Sequence, residues 1–165
     1  MTRRLILMRH AKSSWDSPFL ADHDRPLNNR GRASAKSLGL WLKNSGYVPD
    51  AGLSSTAKRT HETFEGLNLA VMPTYTKALY HAGASRMLDV LRGAQGACAL
   101  ILGHNPGIAE FAERLVGEQP AHERFFDYPT GATTIIDFDV ADWKDVNFGS
   151  GTVREFVIPR ELPEV

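Results

Sequence analysis

The sequence predicts a three-layer α/β/α fold, with a mostly parallel central sheet and antiparallel strands closing its C-terminal side. Three observations lead there. Short apolar runs alternate with amphipathic segments about four times, and parallel strands need crossovers of that kind, whose right-handedness puts helices on both faces of the sheet. Residues 133–158 break the rhythm: two β-branched and aromatic stretches are separated only by a turn around Trp143 and by Gly149-Ser150-Gly151, as in an antiparallel pair. The 165 residues, 42% hydrophobic and 23% charged, suit one globular domain over 1–165 and exclude disordered and fibrous classes.

Residues 4–9 are an apolar run bounded by arginines, the pattern of a strand buried on both faces. Residues 10–28 lack periodicity and contain two prolines, which makes a long surface loop of the kind that serves a site. Asn28 or Asn29 caps a helix to Ser45, facing inward through Leu38, Trp41 and Leu42, and Gly46 supplies its left-handed stop. A brief strand at 51–54 precedes a helix capped by Ser55 or Thr56 that reaches the neighbourhood of Phe64. Residues 71–75 read as a weak strand, and Ser85 caps a helix with Met87, Leu88 and Leu91 inward. Residues 98–103 are the clearest buried strand. Asn105-Pro106 then starts a helix whose apolar positions Ile108, Phe111, Ala112, Leu115 and Val116 keep the i, i+3, i+4, i+7, i+8 spacing.

The longest apolar run, residues 97–102, is far shorter than the roughly 20 residues that span a bilayer, and charges interrupt the N-terminus early. Neither a membrane segment nor a secretion signal is expected. The lone Cys98 supports no disulfide framework and no thiolate zinc site, so a reducing, cytoplasmic location is expected. A net charge of +0 conceals an asymmetry, because residues 1–60 hold 11 Lys+Arg against 4 Asp+Glu and the remainder holds 8 against 15. Arg3, Arg4, Arg9, Arg25, Arg30 and Arg32 supply much of that excess, which suits an anion site as well as an uneven spread of solvated charge. No nucleic-acid partner is expected, since basic and aromatic residues do not interleave and the acidic half opposes broad affinity.

In such a sheet ligands bind beyond the carboxyl ends of the strands. The residues there are Arg9-His10-Ala11-Lys12, Ser54-Ser55-Thr56-Ala57-Lys58-Arg59 and Gly103-His104-Asn105-Pro106-Gly107. Two imidazoles and two guanidiniums beside helix N-termini make a cationic pocket for a tetrahedral oxyanion such as phosphate. An imidazole nitrogen is a nucleophile toward phosphorus, and arginines on the equatorial oxygens stabilise the in-line transition state without a metal. No HxH, HExxH or carboxylate cluster accompanies His10 or His104, so neither a metal nor another cofactor is expected. His23, His61 and His122 read as bystanders, and Trp15 and Phe19 as loop anchors.

LMRHAK at 7–12, Asp22, Arg25-Pro26-Leu27 with Arg30-Gly31, SSTAKRTHET at 54–63, GHNPG at 103–107 and Pro159-Arg160 resemble the histidine phosphatase superfamily, and within it the small SixA-type phosphohistidine phosphatases. The resemblance covers nearly the whole chain, and four motifs in order say far more than one Arg-His turn. It implies the phosphoglycerate mutase-like fold and a hydrolase that passes the phosphoryl group through a covalent phosphohistidine on His10. Arg9, Arg59 and His104 match the rest of the phosphate pocket, Arg25 its rim with Asp22 close by, and Asn105 and His81 join the expected substrate contacts. Ala11 departs from the superfamily's usual Arg-His-Gly.

Asp22 and then His81 are the candidate general acids, with Asp16 and Asp24 in the same loop. A leaving imidazole, with an ordinary pKa of about 6.5, needs less acid help than an alcohol. Between residues 75 and 98 the chain is used up by the Tyr80-His81 turn and one helix, leaving no insertion to form a lid. An open pocket suits a phosphorylated side chain of another protein, so the expected substrate is a phosphohistidine-bearing protein. A small-molecule phosphomonoesterase and a catalytically idle phosphate-binding module are the alternatives.

Overall fold

Four strands, β1 (Arg3–Arg9), β2 (Ala51–Ser55), β3 (Pro73–Thr76) and β4 (Cys98–Gly103), run parallel; β5 (Thr133–Phe138) pairs antiparallel with β1, and β6 (Thr152–Val157) antiparallel with β5. The computed structural model, which describes residues 1–163, joins them in one sheet ordered β3-β2-β4-β1-β5-β6. Helices α1 (Asn29–Asn44), α2 (Lys58–Leu67), α3 (Ala84–Arg92) and α4 (Gly107–Leu115) cover its two faces. The pleat dictates which face each residue serves. Leu5 and Leu7 of β1 join Met87, Leu91 and Phe111 on the α3/α4 side, while Ile6 and Met8 join Leu38, Leu42 and Phe64 on the α1/α2 side. β4 repeats the split with Ala99 and Ile101 against Leu100 and Leu102. A strand covered twice must be apolar at every position, and burying each such Leu or Ile stabilises the fold by about 1.5–3 kcal/mol.

The caps differ from expectation where the site needs the capping residue. Asn28 does cap α1, its side chain accepting the Gly31 N–H at 2.8 Å, and Gly46 follows at φ 79°. At α2, however, Ala57 occupies the cap position and makes no side-chain cap bond; the Ser55 hydroxyl accepts the Ala57 N–H at 3.3 Å and lies 2.8 Å from His104. α3 begins after Gly83 rather than Ser85. Pro106 sits at the cap of α4, so that helix starts at Gly107, and Val116 ends it in an extended conformation. β3 lies slightly later than its weak sequence signal.

Two glycines set how closely the loops approach. A Cβ on Gly31 would strike the Lys12 carbonyl, and one on Gly107 would strike the Ala82 carbonyl. α1 thus presses on the turn after β1, and α4 on the turn that carries His81.

Candidate active site

The carboxyl ends of β1, β2 and β4 lie side by side, and the turns that follow them enclose a cavity of about 300 Å³. Arg9, His10, Asp22, Arg25, Arg59, His81, His104 and Asn105 line it, whereas the further acid candidates Asp16 and Asp24 do not. Lys12, Ser13, Trp15 and Thr130 complete the wall.

His10 is the floor. Its backbone is fixed on both sides, the N–H donating to the Gly103 carbonyl at 3.2 Å and the carbonyl accepting from Gly131 at 2.9 Å. The ring Nδ1 lies 2.7 Å from the Ala11 carbonyl. A carbonyl only accepts, so Nδ1 carries the hydrogen and Nε2 keeps its lone pair. Burial, seconded by His104, Arg9 and Arg59, pushes this imidazole well below its ordinary pKa against the pull of that one hydrogen bond. His10 therefore stays neutral and nucleophilic well into acid.

The methyl of Ala11, where the superfamily pattern has glycine, packs fully buried against Leu27 and Ala35. The Ala11 N–H donates to the Thr63 hydroxyl at 3.0 Å, and Thr63 donates in turn to the Arg59 carbonyl at 2.7 Å. The backbone of the proposed nucleophile's turn is thereby tied to the helix that carries Arg59.

His104 sits beside His10 with ring centroids 5.3 Å apart. Burial and the Arg59 charge bring its pKa down to about 3, so it too is neutral. Arg9 reaches the Tyr128 carbonyl at 3.2 Å, and burial together with Arg59 lowers its pKa, the mark of two guanidiniums held close with too little negative charge between them. Among the described residues, the buried side-chain atoms without a partner are the Nε atoms of Arg3, Arg9 and Arg59 and Nδ1 of His104, and the last three gather at this cavity. Unpaired buried polar atoms cost about 1–3 kcal/mol each, and an oxyanion is the partner this cluster lacks.

Asp22 occupies a different role from the one sequence reasoning gave it first. Burial favours its neutral form, but the Tyr80 hydroxyl at 2.6 Å, Arg59 at 3.0 Å and Arg25 at 3.3 Å outweigh that and hold its carboxyl far below the ordinary range. A carboxylate so stabilised is ionised in neutral solution, which opposes the proton-donor role, and here it bonds Arg59, Arg25 and Tyr80. His81, on a left-handed turn at φ 55°, puts Nε2 3.3 Å from the same carboxylate.

Two other expected substrate contacts are occupied within the protein. Arg25 donates to Ser13 and the Ser14 carbonyl and lies 3.5 Å below the Trp15 ring. Asn105 donates to the carbonyls of Asp127 and Tyr128 and accepts from the Ala109 N–H. Trp15 and Phe19 are not anchors: they stand 76% and 96% exposed, Trp15 at the cavity wall. Trp15 and Tyr80 are the functional candidates that sequence reasoning passed over, and an apolar ring inside a charged loop beside Arg25 is the signal that could have found the first.

The model of the histidine phosphatase superfamily (branch 1) matches residues 5–79, and an uncharacterized Mycobacterium tuberculosis protein is 31% identical over 160 residues, 93% of this chain and 100% of that one. The chain belongs to the histidine phosphatase superfamily. An uncharacterized chloroplastic protein of Arabidopsis thaliana is 34% identical over 132 residues, 71% of this chain, which spans 61% of the plant protein's length. Among solved structures, a candidate phosphohistidine phosphatase SixA of Nakamurella multipartitia superimposes with a TM-score of 0.86 at 24% identity, covering 96% of this chain and 97% of that one. Its counterpart from Agrobacterium tumefaciens gives 0.78 at 25% identity, over 95% and 98%. The phosphoglycerate mutase-like architecture and the SixA-type branch of the histidine phosphatases are thus shared.

Proposed function

We propose that this phosphatase hydrolyses phosphohistidine on another protein, through a covalent phosphohistidine on His10 and without a metal. The observation that carries the reading is the Nδ1 bond to the Ala11 carbonyl, which leaves the Nε2 lone pair of a neutral imidazole free beside two guanidiniums. His10 Nε2 attacks phosphorus in line, a P–N bond forms, and the bond from phosphorus to the leaving imidazole breaks. The departing nitrogen takes its proton from His81 or from solvent, as an imidazole leaving group requires little more. Water then attacks the phosphoenzyme, phosphate departs, and the electron pair of the broken P–N bond returns to His10. Arg9 and Arg59 carry the charge of the equatorial oxygens at both steps, the work a divalent ion does elsewhere.

The site's accessibility favours a protein substrate. Lys12 and Trp15 on its wall are exposed, and the segment between β3 and β4 is spent on one short helical turn, the Tyr80-His81 turn and α3. A phosphosugar enzyme gains specificity by enclosing its ligand, whereas this cavity grips one phosphoryl group. The testing experiment compares kcat/KM for a phosphohistidine-bearing protein with that for phosphosugars and nucleotides, and an advantage of about tenfold or more, roughly 1.4 kcal/mol, is expected for the protein. A phosphosugar handled as well would make the chain a small-molecule phosphomonoesterase; binding of aryl phosphate without turnover would make it an idle module.

A further inference from the structure

A second cavity, of about 600 Å³, abuts the first, and Lys12 and Thr130 line both. Its lining contains Lys12, Arg30, Arg124 and Arg160 and no carboxylate. Arg124 is neutralised by Asp127 at 3.0 Å, but Lys12, Arg30 and Arg160 have no ion-pair partner among the described residues. All three are exposed. A third cavity contrasts sharply, for it sets Lys58 and His61 among Asp24, Glu62 and Glu65. The groove that continues the phosphate pocket is of one sign. It is assembled rather than inherited from the basic N-terminal half: Arg124 and Arg160 come from the acidic half of the sequence. Its base is partly apolar, with the buried Ile158 beside Pro129.

From this continuity and charge we infer that the groove docks an acidic segment of the substrate protein, the stretch of chain that flanks the phosphorylated histidine. The inference rests on the phosphohistidine reading above and adds to it which phosphoproteins the enzyme prefers. A phosphohistidine seated over His10 must let its own polypeptide leave the pocket, and past Lys12 and Thr130 that chain meets Arg30 and Arg160, which have no ion-pair partner among the described residues. Aspartate or glutamate side chains there find partners, and Ile158 and Pro129 offer contact for an apolar neighbour. The gain falls on encounter rate and partner choice more than on chemistry, because Arg30 and Arg160 lie outside the phosphate cavity.

The test uses the full chain and two phosphohistidine peptides, one neutral and one flanked by glutamates, with an aryl phosphate as the common control. Wild type is expected to favour the acidic peptide in kcat/KM by about tenfold at low salt, and to lose that preference as ionic strength rises. The charge reversal Arg30→Glu with Arg160→Glu abolishes the preference and leaves the neutral peptide and the aryl phosphate within about twofold of wild type, since neither needs the groove. Arg30→Gln with Arg160→Gln gives a smaller loss in the same direction and guards against misfolding of the reversed protein. Equal use of the two peptides by wild type, or a preference that survives both double variants, overturns the docking assignment while leaving the phosphatase reading intact. Hydrolysis of the aryl phosphate with neither peptide overturns the phosphohistidine reading, and the docking assignment falls with it. Faster turnover of a phosphorylated oligonucleotide, lost in the double variants, would assign the groove to nucleic acid instead.

Discussion

Two arginines near opposite ends of β1, Arg4 and Arg9, stand in opposite circumstances. At the amino end Arg4 grips Asp137 with two bonds of 2.7 and 2.9 Å, and Arg154 adds a third at 2.8 Å. Those bonds raise the Arg4 pKa and, against the burial that favours the neutral acid, hold Asp137 below its ordinary value. At the carboxyl end Arg9 has no carboxylate bonded to it; burial and Arg59 lower its pKa, and its Nε is left without a partner. Arg4 is thus satisfied by a carboxylate and Arg9 is not; Arg3, also at the amino end, has a buried Nε without a partner too, but only that of Arg9 lies at the cavity, beside those of Arg59 and His104.

The largest effect that can break this contrast comes from His10→Ala, expected to lower aryl phosphate turnover by roughly 10⁴-fold or more because the nucleophile itself is removed. The phosphoenzyme trapped from wild type should be acid-labile and alkali-stable; label that survives acid assigns the nucleophile elsewhere. Next comes Arg59→Ala, which should cost about 10²–10³ in kcat, the scale of one lost oxyanion donor. Kinetics under identical conditions check it, and a change below tenfold would mean that Arg9 alone carries the charge.

Arg4→Ala is the mirror experiment. It should leave kcat unchanged and lower stability by about 1–3 kcal/mol, because Asp137 is buried and keeps only Arg154. Chemical denaturation beside a turnover assay separates the two ends, and a fall in kcat would show that they are coupled.

The smallest effect lies in the pH dependence of stability. His104 titrates at about 3 in the folded chain and at the ordinary 6.5 when unfolded, so between those values the unfolded state binds more protons and stability falls on acidification. His10 acts in the same direction. Asp137, held below its ordinary 3.8, stabilises the fold above that value and loses that contribution as pH falls below it. Denaturation midpoints between pH 7 and 4.5 should therefore fall less steeply for His104→Asn than for wild type, whereas Arg4→Ala should run parallel to wild type. Equal slopes for His104→Asn and wild type would locate the acid sensitivity outside the site.

Layers, strands and the convergence of three turns were all legible in the amino-acid order. Each is set by local pattern: an apolar run long enough to be covered on both faces, the i, i+3, i+4 stripe of α4, and the rule that such a sheet presents its strand ends on one side. The motifs likewise carried His10, Arg9, Arg59 and His104 to one cavity. Tertiary structure alone decided what each polar group does there, because a side chain's role depends on which partner arrives from a distant part of the chain. Asp22 is held as an anion through Tyr80, remote in sequence, and the Ser55 hydroxyl meets His104 as well as the Ala57 N–H. Asn105 and Arg25 spend their donors on carbonyls and hydroxyls no pattern could pair with them. The basic groove was hidden for the same reason: it joins Lys12 and Arg30 to Arg124 and Arg160 across the whole chain, and charge adds up in space rather than along the sequence.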